Sequence, residues 1–291
     1  MQDRAIPAEL LTAVPDRFAR LRMRWLVLWP ILGGIAVVVV ALMPPRSSFG
    51  ATVGAALSLV YAILLLAALM ACRAAGLAPA DVVGPAPRDA RPWLTAALLG
   101  PLVLAFSAAS LWATIYLAGM VAPGWAEAQL SEEQDPAGLL DRLGTGSRVL
   151  LGFIVVVFAP VVEEFVFRGM LMRKWMASRG LWTGLIGSAL VFSLMHPPNW
   201  IGSFMFGLVA GILYLWSGSL LLAILVHVIN NGVVALVLLA QRAFPPEAQP
   251  TPTTAEFQAT WIAPSIMLVM IGALLASVAW PLLREVRVRF R

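Results

Sequence analysis

About eight times along its 291 residues this chain holds roughly 20 apolar residues together, the length an α-helix needs to cross a hydrocarbon layer of about 30 Å. The runs begin near Trp25, Thr52, Leu94, Val149, Trp182, Trp200, Leu220 and Ile262. Inside lipid no water is present to satisfy a free backbone N–H or C=O, so runs of this length close their hydrogen bonds within themselves as helices. The expected fold is therefore an all-α, polytopic transmembrane helix bundle of about eight spans in a lipid bilayer. A hydrophobic content of 60%, only 12% charged residues and a mean hydropathy of +0.88 exclude a soluble domain.

The net charge of +5 might be taken for nucleic-acid affinity, but the basic residues sit beside the apolar runs instead of on one long face, so no nucleic-acid partner is expected. They alternate from loop to loop. Arg17, Arg20, Arg22 and Arg24 precede the first run, Arg73, Arg88 and Arg91 follow the second, Arg168, Arg173, Lys174 and Arg179 follow the fourth, and Arg284, Arg287, Arg289 and Arg291 follow the last. The intervening segments carry Glu127, Glu132, Glu133, Asp135 and Asp141, or are rich in Pro and Thr. Positive charge favours the cytoplasmic side, which places both termini there, in a membrane of bacterial plasma-membrane type. The first run is long, and no small-residue cleavage site follows in "ALMPPRSS", so it reads as a retained anchor. Six segments result: a cytoplasmic stretch 1–24, three helices in 25–122, an acidic non-cytoplasmic loop 123–147, a core 148–241, a loop 242–261, and a last helix with a basic tail, 262–291. The single cysteine, Cys72, can form no internal disulfide and receives no role.

The core contains residues that lipid would not accept without compensation. "VVEEFVFRGM" brings Glu163, Glu164 and Arg168 into an apolar run, and a charge at mid-helix depth costs about 2.5–3.5 kcal/mol on insertion scales. Glu164 and Arg168 stand four apart with the acid first, the spacing of an intrahelical ion pair. That pairing leaves Glu163 over, about 100° away around the helix and free to face the bundle interior. Alone, such a trio would more often mark a helix end at the membrane surface. Both histidines of the chain, however, also lie in apolar runs: His196 in "VFSLMHPPN" and His227 in "ILVHVINNGVV", the latter with Asn231 one turn on. Three helices thus bring polar groups to what should be one wet cavity. A carboxylate and an imidazole can deprotonate and aim a water, while a second imidazole and an amide can donate to a tetrahedral oxyanion, which suits peptide hydrolysis.

In order and approximate spacing, "EEFVFR" (Glu163, Glu164, Arg168), "FSLMH" (Phe192, His196) and "HVINN" (His227, Asn231) resemble the EExxxR, FxxxH and HxxxN/B motifs of the CPBP family, the CAAX proteases and bacteriocin-processing enzymes. The Ras-converting CAAX prenyl endopeptidase is its eukaryotic relative. The resemblance spans about residues 149–240. It implies that Glu163 and His196 activate the water, that His227 with Asn231 forms the oxyanion site, and that Glu164 and Arg168 organise the first helix, with Phe192 in support. It also favours a glutamate-type mechanism over a metalloprotease. Zinc remains possible on Glu163, His196 and His227, although the HExxH pair is absent. The implied substrate is a membrane peptide or protein, processed as a secreted peptide or a C-terminal sorting tail. A non-catalytic scaffold or immunity-type binding protein is the alternative reading, and a transporter a weaker one. An aspartyl dyad is excluded because no Asp follows Asp141, and "LWSGS" lacks the first glycine of a rhomboid GxSG. One tension concerns depth: counted from the helix ends, His196 lies several ångströms deeper than Glu163 or His227, so the fifth helix either starts late or is broken.

Overall fold

The computed structural model describes residues 15–41, 49–130, 143–244, 256, 259, 260 and 262–290. Among these every regular element is helical. They are α1 (Pro15–Ala19), α2 (Leu28–Ala41, entered through a 3-10 turn Arg24–Val27), α3 (Phe49–Ala74), α4 (Pro79–Val83), α5 (Ala90–Gly119) and α6 (Pro123–Leu130). They continue with α7, which runs from Thr145 to Arg179, then α8 (Leu181–Leu194), α9 (Trp200–Ser217), α10 (Leu220–Ala243) and α11 (Ile262–Arg289).

Six of these are long and apolar enough to cross a membrane: Thr52–Ala74 within α3, and α5, α7, α9, α10 and α11. The all-helical membrane bundle stands, with six such helices among the described residues against an expected count of about eight. The run beginning at Trp182 forms a shorter apolar helix, Leu181–Leu194, and that beginning at Trp25 is helical from Arg24 to Ala41, where the described residues pause. At about 1.5 Å per residue the 14 residues of α8 cover about 21 Å, less than the hydrocarbon thickness. The segment expected as an acidic loop begins with a short helix, Pro123–Leu130. Residues 131–142 and 245–255, with most of the expected acidic and Pro/Thr-rich loops, lie outside the described residues, as do 1–14 and 42–48.

Basic residues of α7 and α11 meet α1 and the end of α9 at one end of the bundle, while Arg148 and Arg242 lie at the opposite ends of α7 and α10. Lys174 donates to the carbonyls of Ala19 and Leu21, and the Arg173 guanidinium lies 4.2 Å from the centroid of the Phe18 ring. Arg289 donates to the carbonyls of Leu215 and Trp216. The α4–α5 connection meets the α9–α10 turn so closely that a Cβ on Gly84 would lie 2.0 Å from the Gly218 carbonyl oxygen; both glycines have positive φ, so Gly84 is required twice over.

Small residues set the packing of α8 against α9, the hairpin that carries one face of the site. A Cβ added to Gly207 would stand 2.8 Å from the Ala189 Cβ, 2.9 Å from its Cα and 3.1 Å from the Arg168 Nη2. Close approach of this kind is how membrane helices gain contact when lipid supplies no hydrophobic force between them. Gly207→Ala is expected to cost about 1–3 kcal/mol through overpacking, read as a lower unfolding midpoint of the purified protein in detergent. An unchanged midpoint would mean that the hairpin is loosely held.

Candidate active site

Helix α7 is not uniform. It contains two π-helical stretches, Ile154–Phe158 and Phe165–Met172, on either side of the α-helical Ala159–Glu164 that holds the two glutamates. Such bulges re-aim side chains and recur at functional sites. The first has a traceable local cause and consequence. The Ala159 N–H reaches the Ile154 carbonyl five residues back, and Pro160 has no N–H to offer, so the Val155 carbonyl is left without a partner in its own helix. Asn231 of α10 fills that vacancy, its Nδ2 donating at 2.9 Å.

The ion pair expected from the spacing is present: Arg168 Nη1 lies 2.9 Å from Glu164 Oε1, and both side chains are 0% exposed. The same Glu164 oxygen also receives His227 Nδ1 at 2.8 Å, a link the sequence did not reveal. Glu164 therefore ties α7 to α10 as well as pairing within its own helix. The Arg168 guanidinium lies 4.2 Å above the Phe192 ring centroid and 5.3 Å from that of Phe206, so aromatic faces take the place of water around it. Its Nε and Nη2, and Glu164 Oε2, have no hydrogen-bond partner among the described residues.

Glu163 does face inward, at 5% exposure. His196 Nε2 lies 3.7 Å and His227 Nε2 3.8 Å from its Oε2. The other carboxylate oxygen, Oε1, accepts a hydrogen bond from the Tyr61 hydroxyl of α3 at 2.7 Å. The depth tension is resolved by the short α8. The helix stops at Leu194, and the turn before Trp200 carries His196 to the level of Glu163. Ser193 helps to close that turn, its Oγ donating to the Trp200 carbonyl at 2.8 Å, so it is a structural hydroxyl as its place on the helix suggests.

Hydrogen bonding orients both imidazoles. His196 Nδ1 stands 2.7 Å from the Phe192 carbonyl oxygen, which can only accept, and His227 Nδ1 stands beside a carboxylate, which when ionised can only accept. Each Nδ1 is thus the donor, and each Nε2 is left to face Glu163. Phe192 fixes the His196 ring by stacking, with centroids 4.2 Å apart at 27°, and Phe206 meets the His227 ring edge to face at 4.6 Å. At 3.7 and 3.8 Å the two nitrogens are too far from the carboxylate for a direct bond, so both face it without being tied to it.

Of the residues expected from sequence, Glu163, His196 and His227 come together, and Glu164, Arg168 and Phe192 form their support. Asn231 lies one turn beyond His227, with one amide proton on Val155 and its Oδ1 accepting from Asn230 Nδ2 at 3.3 Å; the second amide proton remains to donate. Sequence reasoning missed Tyr61 and Phe206. Tyr61 had a signal, being one of three tyrosines in the chain and the lone phenol in the apolar run "LSLVYAILLL", whereas nothing distinguished Phe206 from the other phenylalanines. Among the described residues no group of three or more His, Cys, Asp or Glu is arranged to hold a metal ion.

The family model for type II CAAX prenyl endopeptidase Rce1-like proteins matches residues 145–233, the stretch that holds α7, the α8–α9 hairpin and the first half of α10. No curated protein and no solved structure matches the chain. Every site residue except Tyr61 falls within the matched stretch, and its two motif histidines face one carboxylate, that of Glu163. The match supports the assignment of this membrane helix bundle to the CPBP/CAAX protease family.

Proposed function

We propose that the chain is an intramembrane endopeptidase that hydrolyses a peptide bond in a membrane-associated peptide or protein. The observation that carries the reading is the convergence of two imidazole Nε2 atoms, from separate helices, on one oxygen of a buried carboxylate whose other oxygen is already held. Glu163 and His196 position a water and take its proton as its oxygen attacks the peptide carbonyl carbon. His227 and the remaining Asn231 proton stabilise the oxyanion. His227 donates from Nε2 in its doubly protonated form, whose charge the Glu164 carboxylate on Nδ1 offsets, and it keeps that proton while the water's proton resides on Glu163. When the C–N bond breaks, Glu163 returns its proton to the leaving amine. The scheme needs no metal, which is the glutamate-type reading. It is tested by incubating purified protein with a library of membrane-anchored peptides and following cleavage by mass spectrometry, with and without a zinc chelator. Cleavage that survives chelation in metal-free protein and disappears in His196→Ala supports it. Cleavage lost on chelation and restored by zinc would transfer the site to metal chemistry, and binding without turnover would favour the scaffold reading.

Tyr61 acts in this scheme as a positioning residue: it occupies Oε1 so that Oε2 is the oxygen presented to the water and the histidines. Tyr61→Phe keeps the ring and removes one hydrogen bond to a charged group, worth about 1.5–3 kcal/mol. The expected result is kcat lower by about tenfold or more with KM nearly unchanged, the signature of an interaction that serves the transition state. A change confined to KM would instead place Tyr61 in substrate binding.

By the distribution of positive charge, the end of the bundle that gathers α1, Arg173–Arg179 and the C-terminal arginines is read as cytoplasmic, in a membrane of bacterial plasma-membrane type, with both termini on that side.

A further inference from the structure

Burial along the site-bearing helices changes abruptly at the level of the catalytic cluster. From Ala159 to Arg173, toward the basic end, every residue of α7 except Val161 is buried, whereas from Thr145 to Phe158 only Ile154 is. On α10 the buried residues are Leu220, Leu222, Ala223, Val226 and His227, and none beyond His227. The α8–α9 hairpin explains the switch. It turns back at His196, while α7 continues from Glu163 to Thr145 for about 27 Å and α10 from His227 to Ala243 for about 24 Å. His196, whose side chain is 35% exposed, stands at that tip with Leu194 and Trp200 exposed on either side. Toward the basic end, by contrast, the ten-residue step from Glu163 to Arg173 places about 15 Å of closed packing, including Val166, Met170 and Met172, between the cluster and that surface.

We infer that the catalytic cluster is entered from the half of the membrane opposite the basic flanks, over the tip of the α8–α9 hairpin, and that its substrate is a membrane-anchored segment of an exported protein. The inference deepens the protease reading and rests on it, and it takes the basic end as cytoplasmic. A scissile bond reaching Glu163 by this route comes from the non-cytoplasmic leaflet. Beyond the cluster α7 and α10 expose apolar side chains, Val149, Phe153, Val234 and Val237 among them, which suit an apolar anchor and not a polar chain end.

Cysteine accessibility tests this without a known substrate. In a Cys72→Ala background, Arg179→Cys marks the basic end, His196→Cys the cluster, and Trp200→Cys the tip outside the catalytic machinery. Each is treated with a membrane-impermeant maleimide in right-side-out and in inverted vesicles, after checking that the protein elutes and melts like the parent. The expected result is labelling of Arg179→Cys in inverted vesicles alone, and of His196→Cys and Trp200→Cys in right-side-out vesicles alone. Labelling of His196→Cys from the Arg179→Cys side, or of the folded variant from neither side, overturns the proposal. Labelling of Arg179→Cys from outside also overturns it, by reversing the membrane sides. Labelling reports access whether or not the protein cleaves anything, so a failure of the protease reading, seen in the peptide assay, is separable from a failure of this one.

Discussion

Glu163→Gln is expected to abolish turnover while leaving the bundle folded. The amide has nearly the volume of the carboxylate, and its Oε1 can still accept the Tyr61 hydrogen bond, so the contacts that hold the side chain at 5% exposure survive. What disappears is the oxygen that faces His196 and His227 and can take a proton from water. General-base groups contribute about 10²–10⁴-fold, so kcat on any substrate cleaved by the wild type should fall by about 10³-fold, with the unfolding midpoint within about 1 kcal/mol of the parent. The check is paired kinetics and thermal unfolding on the same preparation. Retention of activity within tenfold would remove Glu163 from the chemistry, and a collapse of stability would make the variant uninformative about catalysis, in which case Glu163→Asp serves as the second probe.

Arg168→Leu should produce the largest loss of stability of any single change in the site. The guanidinium is wholly buried, bonded to Glu164 at 2.9 Å and stacked on Phe192. Breaking a buried pair from one side leaves an uncompensated charge, a loss of about 3–5 kcal/mol. Glu164 would keep only His227, so the α7–α10 link should loosen with it. Removing both charges, as Glu164→Gln with Arg168→Leu, should be less damaging than the sum of the two single changes, because no ion is then stranded. Arg168→Lys is expected to rescue little, since an ammonium lacks the planar face that lies over Phe192 and Phe206. Denaturation of the four proteins in detergent, read as a double-mutant cycle, measures the coupling; additive losses would show that Arg168 and Glu164 do not act as a unit.

Much of this was legible before any coordinates. Apolar runs of membrane-spanning length leave helices as the workable solution, and the i,i+4 placement of Glu164 and Arg168 identifies an ion pair through geometry internal to one helix. The residues that converge could be named because ionisable side chains are so costly in lipid that Glu163, His196 and His227 needed a common reason to be there. Less was legible where helix length and depth depend on neighbours. The run at Trp182 has the composition of a span, yet α8 ends at Leu194, where two prolines soon follow and Ser193 closes the turn onto Trp200. The double engagement of Glu164 by Arg168 and His227 has no periodicity to betray it, because its partners are 63 residues apart.

By itself, then, the sequence determined that the chain is a membrane bundle of helices, which polar residues it cannot leave in lipid, and which two of them pair along one helix. These are properties of hydropathy and of a 3.6-residue repeat, both local. Only the tertiary structure decided that Tyr61, 102 residues away from Glu163, holds its carboxylate, that Asn231 satisfies a carbonyl freed by a π-bulge, and that the α8–α9 hairpin stops level with the cluster. Each depends on the relative height and rotation of separate helices, and those are set by side-chain packing between them, at contacts such as Gly207 on Ala189, which no pattern along a single helix encodes.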